Sequence, residues 1–126
     1  CIHSQSLRAD SHVFLLDLDH CGISDQTADV GTFMATLRQF AVRHRLAGRP
    51  EALSTRLPEL AEDFLAAYLD ASGDDTDARR ARIRWHEAVA LERKALRSFA
   101  RAPRSPVAPA LIHEADRRLD RLAETA

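Results

Sequence analysis

The sequence predicts a mainly α-helical domain that opens with a β-hairpin, and three observations carry that prediction. A compact apolar run, His12-Val13-Phe14-Leu15-Leu16-Asp17-Leu18-Asp19, follows the turn signal Ala9-Asp10-Ser11 and is rich in strand-forming residues. From residue 29 the apolar residues switch from a two-residue to a 3.6-residue period. Stop signals then recur at helix-like intervals, at Gly48-Arg49-Pro50, Ser72-Gly73 and Pro103-Arg104-Ser105-Pro106.

Ile2–Arg8 is the expected first strand and the run from His12 the second. A lone hairpin is marginal in water, so this one is expected to lie on the helices or to extend a sheet elsewhere. Val30, Phe33, Met34, Leu37 and Ala41, with Phe40 beside them, mark the first helix; Leu57, Leu60, Ala61, Phe64, Leu65, Tyr68 and Leu69 mark the second. Thr76 or Asp77 is placed to cap a long third helix traced by Ala78, Ala81, Trp85, Ala88, Val89, Ala95, Leu96 and Phe99. Leu111, Ile112, Ala115, Leu119 and Leu122 mark a fourth, expected from about Pro109. Residues 1–126 thus read as a single domain, with a hairpin and loop over 1–28 and a four-helix region over 29–126.

Composition narrows the function classes. With 45% hydrophobic and 29% charged residues the chain belongs with globular proteins, and 19 acidic against 18 basic residues give no general pull toward nucleic acid or anionic membrane. Uncharged apolar runs such as Val13–Leu16 are far too short to cross a bilayer. Two cysteines, Cys1 and Cys21, make no disulfide scaffold, and a reduced, cytoplasmic setting is expected. The chain begins Cys1-Ile2-His3 and its only Met is Met34, so a longer parent polypeptide is also expected.

The densest polar cluster is Asp17-Leu18-Asp19-His20-Cys21-Gly22, followed by Ser24, Asp25 and Asp29. On a strand, Asp17 and Asp19 project to one face. Two carboxylates at a strand end suit a hard cation such as Mg²⁺, which takes oxygen ligands and bridges to phosphates. The plainer reading is a turn cap beside a solvated acid, and the D-x-D spacing alone leaves both open.

The stretch Val13-Phe14-Leu15-Leu16-Asp17-Leu18-Asp19, continuing Ser24-Asp25-Gln26-Thr27-Ala28-Asp29-Val30-Gly31-Thr32-Phe33, resembles the aminoglycoside phosphotransferase and choline kinase-like family. There a hairpin ends in "(I/L)-D-(W/F/L)-(D/E)", and "G-D-P-x-x-D-(L/V)-(A/G)-x-(F/L)" opens a helix. The resemblance implies the C-terminal lobe of a protein-kinase-like α+β fold. It also implies that Asp17 binds Mg²⁺, as the acid of the kinase D-F-G segment does, with Asp19 assisting the metal or the nucleotide. Asp25 then matches the acid of the "G-D-P" element, with Ser24 for Gly and Gln26 for Pro, and Asp29 the acid that braces the catalytic loop. As a local matter Asp29 is also a helix cap or first-turn acid favoured by the dipole. Arg84-Trp85-His86-Glu87-Ala88 is similar to the family's late helices, which implies Trp85 and Glu87 as acceptor-pocket residues; Trp85, Tyr68 and Phe64 read more simply as core.

The departures weigh as much. Such kinases need a nucleotide-lobe Lys, a phosphate-covering loop and an "H-x-D" catalytic loop. The only Lys, Lys94, falls on a late helix, and only four glycines are present. His3-Ser4-Gln5 is either a degraded catalytic loop, with Gln where a base is needed, or part of the first strand; both alignments leave the chain without a catalytic base. The six histidines have no zinc spacing, and Cys21 beside His20 makes a poor nucleophile pair because chain neighbours point apart. Asp77–Arg84 and the series Arg93, Arg97, Arg101, Arg104 read as solvated basic faces with acidic partners.

Two functions therefore stand as expectations. One is the C-terminal-lobe part of a small-molecule phosphotransferase, using Mg²⁺ and ATP or GTP in an intact protein to phosphorylate a hydroxyl, and inactive as these residues alone. The other is a non-catalytic, pseudokinase-like binding or assembly module, without cofactor, that covers its exposed face with a second copy. The expected partners are an N-terminal nucleotide lobe or that self-partner, together with a small-molecule acceptor, and neither nucleic acid nor membrane.

Overall fold

The computed structural model describes residues 6–15 and 25–125. Two strands, β1 (Ser6–Ala9) and β2 (His12–Leu15), precede four helices: α1 (Gln26–Leu46), α2 (Glu51–Ser72), α3 (Asp77–Arg101) and α4 (Val107–Thr125). The protein is mainly helical. The strands pair antiparallel with Leu7 opposite Phe14 and Arg8 opposite Val13. Asp10 makes the turn at φ 54°, a left-handed conformation that Asp tolerates. Among the described residues the hairpin contacts only itself and no helix, which goes against the first of the two expected placements, on the helices, and leaves the second, a sheet extended elsewhere.

The helices start and stop on local chemistry. Asp25 caps α1 and Thr76 caps α3 through side-chain oxygens that accept from Thr27 N and Arg79 N, satisfying donors that have no intrahelical partner. The α1 start lies three residues ahead of the expected boundary because Asp25, and not Asp29, is the cap. Gly73 ends α2 at φ 66°, the left-handed position that glycine fills without strain. The last helix begins at Val107, two residues ahead of Pro109, with Ser105 Oγ accepting from Val107 N.

α1 is the hub: it packs on α2, α3 and α4, and α3 packs along α4. One apolar cluster joins Val30, Met34 and Leu37 of α1 to Ala61, Leu65 and Leu69 of α2 and Ile83 of α3. A second joins Ala35 and Val42 to Ala90, Leu91, Ala95, Leu111 and Ala115. The first two helices bury the faces that their periodicity indicates, except that Phe40 and Leu60 are exposed. α3 does so only in part: Ala88 and Ala95 are buried, but Trp85 is 51% exposed, Leu96 69% and Phe99 54%, while Ile83, Glu87, Leu91 and Lys94 are buried. The core role read for Trp85 is therefore corrected; α3 is rotated so that two charged residues face inward. Among the described residues no helix is long and apolar enough to cross a membrane.

Candidate functional site at the start of the first helix

Of the sequence-predicted acids, Asp25 and Asp29 stand at the N-terminus of α1. Asp17 and Asp19 lie outside the described residues. Asp25 accepts hydrogen bonds from Thr27 N at 3.0 Å and Thr27 Oγ1 at 2.6 Å. Two α3 side chains reach across to its other oxygen, Arg82 Nε at 2.8 Å and His86 Nε2 at 3.4 Å. The Thr27 hydroxyl bond is the main cause that holds the Asp25 carboxyl at about 2, with Thr27 N–H, Arg82 and His86 assisting. Asp25 is thus a fixed anion at every physiological pH. Asp29 stands in the first turn of α1, where the dipole favours a carboxylate.

An open depression of about 430 Å³, lined by Asp25, Thr27, Asp74, Arg79 and Arg82, lies beside this cap. Its rim is cross-braced: Arg79 donates to Asp74 at 2.8 Å and to Tyr68 Oη at 2.8 Å, and Tyr68 donates to Gln26 at 3.4 Å. Arg79 also lies 5.6 Å from the Tyr68 ring centre, within cation–π range.

The structure separates the two residues read as pocket-lining. Trp85 is half exposed, packs edge-on to His86 at 4.9 Å and lines a cavity of about 340 Å³ with Ala28 and Thr32 of α1. Glu87 is fully buried. It accepts from Arg38 Nε and, at 3.3 Å, from Arg84 Nη1, and it stands 3.8 Å from Arg118 Nε. Its cluster continues through Glu62, bound by Arg38 and Arg84, and through Glu114, which pairs with Arg118 at 3.4 Å. Burial opposes ionisation of Glu62, yet hydrogen bonds from Arg84 and the charges of Arg84 and Arg38 bring its carboxyl down to about 2.

The sequence reading missed this cluster and the burial of Lys94, although a signal existed. Arg38 sits four residues from Met34 and four from Val42, and Glu87 four from Ile83 and four from Leu91, so each interrupts an apolar stripe at its own period. A charge inside such a stripe must find a counter-charge in the core. Among the described residues, no group of three or more His, Cys, Asp or Glu could hold a metal ion.

Against known proteins, no family model, no curated protein and no solved structure matches this chain.

Proposed function

We propose that this chain is the C-terminal-lobe part of a small-molecule phosphotransferase of the aminoglycoside phosphotransferase and choline kinase type, which transfers a phosphoryl group from ATP or GTP to the hydroxyl of a small acceptor. The observation that supports the reading is the order of features along the chain. A hairpin strand precedes Asp17-Leu18-Asp19 in sequence, and six residues after Asp19 comes an ionised helix cap, Asp25, braced by α3, with Asp29 one turn on. The kinase-like lobe itself is part of the proposal and rests on the resemblance of the two spaced motifs.

In that reading Asp17 and Asp19 hold Mg²⁺; their donor set, two hard carboxylate oxygens, fits that ion. Bound there, the ion would neutralise charge on the nucleotide phosphates. Asp25, Arg82 and His86 tie the start of α1 to α3, and fixed positioning of this kind is what phosphoryl transfer depends on. Trp85, at the mouth of the cavity beside α1, is the residue offered to an acceptor. The nucleotide-lobe Lys and the base that accepts the acceptor's hydroxyl proton would come from upstream of Cys1.

The test is the intact mass of the protein recovered from its source, followed by assay of that form. A longer polypeptide should phosphorylate small alcohols with Mg-ATP, and Asp17→Asn should lower kcat at least a hundredfold while the 126 residues alone show no turnover. Asp17-dependent turnover by these residues alone refutes the fragment reading, and full activity of the Asn variant refutes the metal assignment. A native mass of 14.1 kDa favours the second reading, a pseudokinase-like assembly module. Trp85, Leu96 and Phe99, exposed along α3, are what support that alternative, because an apolar stripe invites a covering partner.

A further inference from the structure

Basic residues are not evenly matched along α3. In its first half Arg79, Arg80, Arg82 and Arg84 each meet a carboxylate, those of Asp74, Asp75, Asp25 and Glu62. Further along, two cavities of about 340 and 240 Å³ lie between α1 and α3 and share Lys94 and Arg97. Arg93 and Trp85 line the first, Arg43 and Arg101 the second, and no Asp or Glu lines either. Five cationic side chains therefore line two adjoining cavities that share the Lys94–Arg97 wall, with no carboxylate in either.

Lys94 makes this arrangement costly. It is 91% buried, being 9% exposed, and its only hydrogen bond reaches the neutral Gln39 Oε1 at 3.3 Å. Burial, and then the charges of Arg97 and Arg43, push its ammonium pKa down. A buried cation normally has a counter-charge, and the chain provides none here among the described residues.

We propose that the α1–α3 groove around Lys94 is an oligophosphate site, taking a small molecule with two or more linked phosphates between Lys94, Arg97, Arg43 and Arg101. Linked phosphates carry several charges within the span of one cavity, and guanidinium forks match phosphate oxygens in pairs. Trp85 lies at the far end of the groove, where a base or other ring attached to the phosphates would stack. The site uses neither Asp17 nor a divalent cation and does not rest on the phosphotransferase reading, although its Trp85 end is the cavity that reading offers to an acceptor.

Calorimetric titration of the full chain with sodium tripolyphosphate, in EDTA and at constant ionic strength, tests it. One saturable site is expected, weakened at least tenfold by Lys94→Gln and by Arg97→Gln; Arg97 is exposed, so its variant keeps the fold. Arg56→Gln, on the exposed face of α2, should bind as wild type. Trp85 is the only tryptophan, so its fluorescence separates two sources of the same chemistry. Tighter binding of ATP with quenching of Trp85 supports the proposal with a nucleotide as ligand, and equal affinity without quenching supports it with an inorganic chain. Absence of saturable binding, or wild-type affinity in Arg97→Gln, overturns it.

Discussion

Gly31→Ala tests how α1 is seated on α3. Gly31 is buried, and a Cβ placed on it would stand 2.7 Å from Glu87 N, 2.7 Å from His86 Cβ and 2.8 Å from Ile83 O. Non-bonded carbon contacts settle at about 3.5–4 Å. Two of the three atoms are α3 backbone, so no rotamer change relieves the clash and α3 must recede by roughly 1 Å. Overpacking of this kind costs about 1–3 kcal/mol, and backbone contacts place it at the upper end. Alanine recovers about 1 kcal/mol of helix propensity, which leaves a net loss of about 2 kcal/mol. For a chain of 126 residues that loss lowers Tm by about 8 °C. Thermal melts and urea titration at pH 7 measure it, with the urea slope unchanged. The resembled helix-start segment admits either Ala or Gly at this position, so the result also discriminates between that general pattern and this packing. A variant as stable as wild type, or more stable, would refute the close approach.

Two further outcomes follow from the charges. Glu87→Ala removes the shared, fully buried carboxylate and leaves Arg38 only Glu62 and Arg118 only Glu114; a loss of about 3 kcal/mol, the low end for breaking a buried pair, or about 12 °C in Tm, is expected, and Arg38→Met with Glu87→Met should lose less. A single-variant loss below about 1 kcal/mol would sink the idea that the pair organises the core. On acidification, Asp25 and Glu62 have folded-state pKa values of about 2, below their ordinary 3.8 and 4.5. Their ionised forms therefore favour the fold, and that stability is present above pH 4.5 and lost as pH falls toward 2. Glu62 is 45% exposed, so solvent screening cuts its share to about 1 kcal/mol. Urea midpoints from pH 6 to 2 should fall, and less steeply in Glu62→Gln; parallel curves for the two proteins would contradict the assignment.

What was legible in the sequence was punctuation. Thr76, Gly73 and the Pro103–Pro106 link set helix ends through the local bonds and φ values that those residue types favour. Asp25 caps α1 in place of Asp29 because the Thr two residues on offers both its N–H and its hydroxyl, a signal that an apolar count passes over. The burial of Met34, Leu65 and Leu111 followed from period alone. Charged residues inside an apolar stripe, Arg38 and Glu87, left a signal only in their spacing, which is lost when a periodicity argument assigns charges to solvent by type.

α3 shows why that gap altered a whole face. Its sequence offers two stripes, one through Ala81, Trp85, Ala88 and Phe99 and one through Ile83, Glu87, Leu91 and Lys94. By hydropathy the first is the better core. But α1 presents Gly31 to α3 so closely that the Ile83–Glu87 backbone fills the space a single Cβ would need, and an indole has no room at that crossing. Seven residues on, Arg38 stands in the same interface and requires a carboxylate, which Glu87 supplies. The steric demand of Gly31 and the electrostatic demand of Arg38 select the same rotation of α3. Trp85 goes outward in consequence, and Lys94, seven residues after Glu87 on the same face, goes inward with no carboxylate to meet it. The unbalanced cation in the groove is thus set by the packing that seats the first helix.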